Sequence, residues 1–286
     1  MERSQQVAGM AIPSWAPQHW PGWFAGANQP FVVDGLPPED VEALPTAVVG
    51  ATCRGEVRDS FWIYDRRPRL WLTEPEFNDL DKGLRTRLVR GQLRVHESIG
   101  VVRKAPVAVR DQARAQIDGY RFVWWPTLLD LASLEPIIEL IESGVVPSRH
   151  REVPARVWQQ ATAVLPHAQD LAGTLPIGSG PNCFGTVMAA AGVPGAADEW
   201  MQLEPFADWI RTHTRPGGRD DSPGTVLVWC NQQGDPVHAA VTLGGGWALN
   251  KPSQAWSSPR FVWTVKAVIN YSRQRACHLH RRTVTG

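Results

Sequence analysis

Residues 225–250, TVLVWCNQQGDPVHAAVTLGGGWALN, decide the fold that this sequence predicts. The runs TVLVWCN and PVHAAVTL are short and rich in apolar and β-branched residues, and the turn sequences QQGD and GGG separate them from each other and from WALN. Short runs of this kind between turns are typical of consecutive antiparallel strands. We therefore expect a meander of three strands, with RFVWTVKAVIN (260–270) as a further strand.

The segments before this meander are predicted to contain most of the helices. Thr73 is a candidate N-cap with Glu76 three residues on, which predicts a helix over 74–99. TLLDLASLEPIIELIESG (127–144) contains a proline and is expected as one kinked helix or two helices. Further helices are predicted at 154–173 and 199–213, and short strands at TAVVGATC, SFWIYD, PRLWLT and VVRKAPVAVR. Helices followed by a strand meander indicate an α+β fold rather than alternating βαβ units.

The composition changes along the chain and suggests three parts. Residues 1–46 are rich in Pro, Gly and Trp without a sustained period, so we expect an extended arm that packs through its tryptophans. Residues 47–150 form an N-terminal α+β region of unknown role. A boundary is expected near VVPSRHREVP (145–154), and residues 151–286 form the second domain.

Composition and charge exclude several classes of function. The 286 residues have a formal net charge of +1, which gives no global electrostatic basis for binding nucleic acid or an anionic membrane. No apolar run approaches the roughly 20 residues that span a bilayer, and residues 1–20 lack a signal-peptide pattern, so we expect a cytoplasmic protein. The four cysteines form no CxxC pair, and the CHLH run at 277–280 has no further ligands nearby. We expect neither a metal nor a cofactor.

The segment SGPNCFGTVMAAAG (179–192) places Cys183 after a Gly-Pro-Asn turn at the start of a short apolar run. A lone cysteine is commonly core filler, because free thiols are among the most buried side chains. A cysteine at a helix N-terminus is also typical of a nucleophile, since unpaired N–H groups and a neighbouring imidazole stabilise its thiolate. Both interpretations of Cys183 remain open at this point, with the nucleophile favoured.

A histidine partner for Cys183 is expected on a rigid element with an acceptor behind it. His238 is the one histidine inside a predicted strand, and alternation puts it on one strand face with Ala240, leaving space for a neighbouring helix. Asn250 lies twelve residues later on the next strand, where its oxygen can accept from the far imidazole nitrogen. Gln254 competes with Asn250 for this role.

These residues, in this order, resemble the NlpC/P60 superfamily of papain-like cysteine hydrolases. That family shows an Asp-Cys-Ser-Gly helix start, a Gly-Asp-Leu-Val-like strand, a His-Val-Gly-Ile-Tyr-Leu-Gly-like strand and a polar residue on the next strand. The resemblance covers roughly residues 155–270. It matches Cys183 to the nucleophile, His238 to the base, Asn250 to the third polar residue and Gly185 to the glycine of the helix start.

The resemblance implies an α+β, papain-like domain whose nucleophile helix packs on an antiparallel sheet. It implies a thiol-dependent amidase, peptidase or acyltransferase that forms an acyl-thioester on Cys183. Asn182 and Phe184 stand where the family has Asp and Ser. We therefore expect the substrate to be a small peptide or amide instead of a cell-wall stem peptide. The expected binding residues are Asn182, Phe184 and Trp247. A non-catalytic binding module of the same fold and an exported or phage-type cell-wall peptide hydrolase are the alternatives. The oligomeric state is left open.

Overall fold

The structure is a computed structural model that describes residues 6–44, 53 and 55–285. It has the α+β class that the sequence predicts, and the paired strands of the described residues run antiparallel. Contacts divide the chain into two compact units, one from Pro13–Ser143 and one that combines the residues up to Ile12 with those from Gly144 onward. No helix among the described residues has the length and apolar character needed to cross a bilayer.

The chain starts with a short hairpin, which belongs to the second of these units. Its strands are β1 (Gln6–Val7) and β2 (Met10–Ala11). Ser148 donates its backbone N–H to the Ala8 carbonyl oxygen at 2.8 Å, so this hairpin packs beside the first residues after the unit boundary.

The unit Pro13–Ser143 contains eight helices and two small two-stranded sheets within its described residues. The helices are α1 (Ala16–Phe24), α2 (Pro38–Glu42), α3 (Gly55–Ser60), α4 (Glu74–Asp79), α5 (Lys82–Gly91), α6 (Arg110–Gln116), α7 (Pro126–Ala132) and α8 (Glu135–Glu142). The strands are β3 (Asn28–Val32), paired with β4 (Arg69–Thr73), and β5 (Ile99–Val101), paired with β6 (Arg121–Val123). An apolar core that includes Phe31, Phe77 and Trp125 joins them.

Several local expectations for this unit are confirmed. Thr73 caps α4 and forms a capping box with Glu76, and the 127–144 segment consists of two helices, α7 and α8. PRLWLT contains β4.

Other expectations for this unit are wrong. The 74–99 helix breaks after Asp79, because Asp81 caps a second helix. The arm is not extended, since it contains α1 and β3, and SFWIYD is a helix end followed by a turn. VVRKAPVAVR forms 3₁₀ turns at Val102–Lys104 and Val107–Val109 on either side of Pro106, which cannot donate to a strand ladder. Most of TAVVGATC lies outside the described residues.

The second unit is built around one six-stranded antiparallel sheet. Its helices are α9 (Ala155–Thr162), α10 (Ala168–Leu171), α11 (Cys183–Ala190), α12 (Leu203–His213) and α13 (Val265–Tyr271), with a 3₁₀ turn at His150–Glu152. Its strands are β7 (Thr214–Pro216), β8 (Pro223–Cys230), β9 (Pro236–Gly244), β10 (Trp247–Asn250), β11 (Phe261–Thr264) and β12 (His278–Val284), in the spatial order β11-β10-β9-β8-β12-β7. The meander is therefore confirmed as β8, β9 and β10.

The expected strand over 260–270 is only half correct. Its first residues form β11, which pairs with β10, but α13 begins directly afterwards. The Thr264 hydroxyl oxygen accepts from the Ala267 N–H at 3.2 Å and caps this helix. The periodicity of a short apolar run does not distinguish a strand from a helix. In this segment the Thr264 cap starts the helix at Val265.

The turn between β9 and β10 fixes which residues face each other in this hairpin. Gly244, Gly245 and Gly246 all have positive φ, at 92°, 58° and 80°, which is backbone that side-chain-bearing residues rarely adopt. The register that follows places Asn250 opposite Ala240. Because side chains alternate across a strand, this register puts Asn250 and His238 on the same face.

Candidate active site

The helix α11 begins at Cys183 because Asn182 caps it. The Asn182 side-chain oxygen accepts the Gly185 N–H at 3.0 Å, and its amide nitrogen donates to the Met201 carbonyl oxygen at 2.7 Å. Asn182 thus satisfies one of the free N–H groups at the helix start and ties that start to the segment before α12. The predicted binding residue Asn182 therefore has a structural role in positioning Cys183.

Gly185 allows the start of α11 to lie directly against another part of the chain. A Cβ atom added at Gly185 would overlap the Ala196 carbonyl oxygen. The helix itself is buried along its whole length and packs against α10, α12, β9 and β10. The position of Cys183 is therefore set by backbone packing on several sides.

The Cys183 thiol is buried, and several backbone N–H groups surround it. Burial raises the pKa of Cys183 to about 11, although hydrogen bonds from the backbone of Ala239 and Phe184 and the charge of Lys251 act in the opposite direction. Phe184 N–H is one of the donors that an α-helix start leaves unpaired. The donors that would stabilise a thiolate are in place, but desolvation outweighs them in the resting protein.

His238 and Asn250 are in direct contact, as the sequence predicts for these two positions. The His238 Nε2 and Asn250 Oδ1 atoms lie 2.9 Å apart, and both side chains are buried. Because the amide oxygen accepts, Nε2 carries the proton and Nδ1 is the basic nitrogen of the neutral ring. The Trp229 ring lies 5.2 Å from the imidazole, centroid to centroid.

The helix α11 does not pack on the strand face that the sequence predicts for it. Cys183 shares an apolar cluster with Ala239, Val241 and Leu243, whereas alternation gives His238 the other face of β9. The thiol meets the strand at the Ala239 N–H, the peptide that directly follows His238.

The pairing of β8 with β9 is irregular next to His238. Trp229 is opposite His238, but Cys230 is opposite Pro236, so Val237 has no partner in the ladder. Such bulges twist a strand and redirect the side chains beside them, and they are common next to active sites. The bulge therefore lies directly beside His238.

The thiol and the imidazole are both neutral at pH 7 in this structure. Burial lowers the pKa of His238 to about 4, and the Asn250 hydrogen bond opposes only part of this shift. No hydrogen bond joins the Cys183 Sγ atom to the imidazole among the described residues. Catalytic hydrogen bonds are often long in unliganded enzymes and shorten with substrate bound.

The remaining predicted site residues lie in other surroundings. The Phe184 ring stacks on Phe206 at 4.1 Å, centroid to centroid, inside the core. Trp247 lies at the turn end of β10, about 10 Å along the strand from Asn250, and the Arg149 guanidinium group covers its ring at 4.8 Å. The Gln254 carbonyl oxygen accepts from the Gly180 N–H at 2.9 Å, and it is Asn250 whose side chain meets His238.

Two buried cations near the site were not predicted from the sequence. Lys251, directly after Asn250, is fully buried. Arg260 is also buried, and its guanidinium group donates to the Thr174 hydroxyl at 3.3 Å and to the Ala197 carbonyl. Lysine and arginine are normally exposed, so only their position beside a candidate site residue or a strand start could have drawn attention to them.

The described residues contain no group of three or more His, Cys, Asp or Glu side chains placed to bind a metal ion. His278 and His280 are both exposed on β12. Comparison with protein-family models, with curated proteins and with solved structures finds no match for this chain.

Proposed function

We propose that this protein is a thiol-dependent amidase, peptidase or acyltransferase of papain-like type that acts on a small peptide or amide through an acyl-thioester on Cys183. The observation that carries the proposal is the buried hydrogen bond between His238 Nε2 and Asn250 Oδ1, beside a capped helix that begins with a cysteine. A buried histidine whose tautomer is fixed by an amide, next to a thiol, is the arrangement that activates cysteine nucleophiles.

In the first half of the reaction, the Cys183 sulfur attacks the carbonyl carbon of the substrate while His238 Nδ1 accepts the thiol proton. The new C–S bond leaves a negative charge on the carbonyl oxygen, and N–H groups at the start of α11 are available to stabilise it. The C–N bond then breaks, and His238 returns its proton to the departing amine. Asn250 keeps the imidazole oriented through both proton transfers.

In the second half, water or an amine attacks the thioester carbonyl, and His238 accepts the proton of this second nucleophile. Breaking the C–S bond regenerates the Cys183 thiol with the proton that His238 carries. Water gives a carboxylic acid, and an amine gives a new amide. The same residues therefore serve hydrolysis and acyl transfer, and the acceptor decides between them.

The proposal is tested with p-nitrophenyl acetate as a generic acyl donor, with peptide mass spectrometry to locate the acetyl group. We expect Cys183 to be acetylated much faster than Cys277, and His238→Ala to slow this reaction by at least tenfold. Cys277→Ala, which changes a cysteine far from His238 along the chain, is the matched control and should react as the wild type does. Adding hydroxylamine or a small amine then shows whether the acetyl group passes to water or to nitrogen.

Acetylation of Cys183 at the rate of Cys277, or a rate that His238→Ala leaves unchanged, would contradict the proposal. That result would favour a non-catalytic binding module with the same fold. Release of amino acids from an isolated cell-wall stem peptide would favour the wall-hydrolase alternative for the substrate.

A further inference from the structure

Lys251 is a buried charge at the end of β10, directly after Asn250. Its ammonium group donates to three backbone carbonyl oxygens, those of Ser253 at 2.7 Å, Ala255 at 3.3 Å and Ser258 at 2.6 Å. An ammonium group has three N–H donors and is costly to bury without acceptors, and three carbonyl oxygens meet that requirement. The lysine thereby closes residues 251–258 into a compact loop, here called the lysine loop.

The lysine loop is joined to the segment that leads into Cys183. The Gly180 N–H donates to the Gln254 carbonyl oxygen at 2.9 Å, and the Trp256 N–H donates to the Ser179 hydroxyl oxygen at 3.1 Å. Residues 179 and 180 precede the Asn182 cap by only two or three positions. A continuous set of hydrogen bonds therefore runs from the Lys251 ammonium through the lysine loop to the start of α11.

The charge of Lys251 also acts on the thiol. It lowers the pKa of Cys183, against the opposing effect of burial. The other elements packed against α11 place their ionisable groups differently. Those of α10 and α12 (Asp170, Glu204, Asp208, Arg211 and His213) are exposed to solvent, and β9 contributes the neutral His238. Lys251 is thus a buried charge among the groups around the nucleophile.

We propose that Lys251 is a positioning residue for Cys183, which fixes the lysine loop against the nucleophile segment and supplies a buried positive charge that favours the thiolate as it forms. This inference rests on the proposed function in taking Cys183 as the nucleophile. Lys251 would stabilise negative charge on the Cys183 sulfur both before the attack on the substrate and after the thioester breaks.

The test measures the rate of Cys183 alkylation by iodoacetamide between pH 7 and pH 10, with peptide mass spectrometry to separate the four cysteines. At pH 9 we expect Lys251→Met to lower the rate and to move the pH profile upward, because removing the charge raises the pKa of Cys183 and reduces the thiolate fraction. Lys251→Arg keeps the charge and should restore most of the rate. Lys266→Met makes the same substitution at an exposed lysine of α13 and should leave the rate unchanged.

An alkylation rate in folded Lys251→Met that equals or exceeds the wild-type rate would overturn the inference. Circular dichroism establishes that the variant is folded. If Lys251→Met does not fold, Ser179→Ala removes one hydrogen bond between the lysine loop and the nucleophile segment and leaves the lysine in place. We expect it to change the Cys183 rate but not the Cys277 rate, and an unchanged Cys183 rate overturns the inference. The proposed function is tested separately, by the acetylation of Cys183 in the wild-type protein with p-nitrophenyl acetate.

Discussion

The unusual pKa of His238 predicts an unusual pH dependence for the acylation of Cys183. Burial lowers this pKa to about 4, whereas an exposed histidine titrates near 6.5. We propose the neutral imidazole as the base, so acylation should be lost only as the pH falls through about 4. At pH 5 about 90% of the imidazole is neutral with the lowered pKa, against about 3% with the ordinary value. The two cases therefore differ by about 30-fold in rate at pH 5.

The assay is single-turnover acetylation of Cys183 by p-nitrophenyl acetate from pH 3.5 to pH 9, quenched and quantified by peptide mass spectrometry. Short reaction times after a pH jump, with circular dichroism at each pH, separate titration from unfolding. We expect a plateau from pH 5 to pH 9 because the thiol, with its pKa near 11, stays protonated throughout. His238→Ala should instead show a rate that rises tenfold per pH unit, as thiolate alone reacts.

Two outcomes would refute this reasoning. A loss of rate centred near pH 6.5 in the wild type would mean that the base is not an imidazole with the lowered pKa of the buried His238. A rate that rises tenfold per pH unit in the wild type as well would mean that no base assists the attack.

Four substitutions test the packing inside each of the two units. His96 is buried with both ring nitrogens unpartnered, and its pKa is lowered to about 3. The folded state therefore loses stability as the pH falls from 6.5 toward 3, and His96→Leu should remove about 2.3 kcal/mol of that loss between pH 6.5 and 4.5 in urea titrations. Gly185→Ala should lower the free energy of unfolding by about 1–3 kcal/mol. Gly91 is a helix glycine with open space around it, so Gly91→Ala should leave that free energy unchanged or raise it by up to about 1 kcal/mol. Phe184→Ala should lower the free energy of unfolding by about 3–5 kcal/mol, because the Phe184 ring is part of the core and stacks on Phe206. A loss below about 1 kcal/mol would show instead that the Phe184 side chain lines a cleft.

The features that the sequence predicts correctly are those set by neighbours along the chain. The capping box of Thr73 and Glu76 needs only three residues of separation, and the meander around His238 follows from alternation and from the glycine turn. The contact between His238 and Asn250 spans twelve residues within one hairpin, so strand register alone brings the two together.

The features that the sequence does not predict depend on packing between distant segments. The core position of Phe184 depends on Phe206, and the helix α11 packs on the Ala239 face of β9 because the larger apolar side chains lie there. The burial of Lys251 depends on a loop that folds back to supply three carbonyl oxygens. Periodicity and motif spacing contain no information about such partners.

The glycine turn between β9 and β10 also bears on the order in which the site assembles. Closing the loop between His238 and Asn250 involves 12 residues, whereas joining Cys183 to His238 closes 238 − 183 = 55 residues. Loop-closure entropy makes the longer contact costlier by about 1.4 kcal/mol. His238 and Asn250 thus belong to one hairpin of low contact order, and we expect them to pair before the rest of the unit condenses. Cys183 joins this hairpin only when α11 docks, so we expect substitutions in the hairpin and in the helix to act at separate stages of folding.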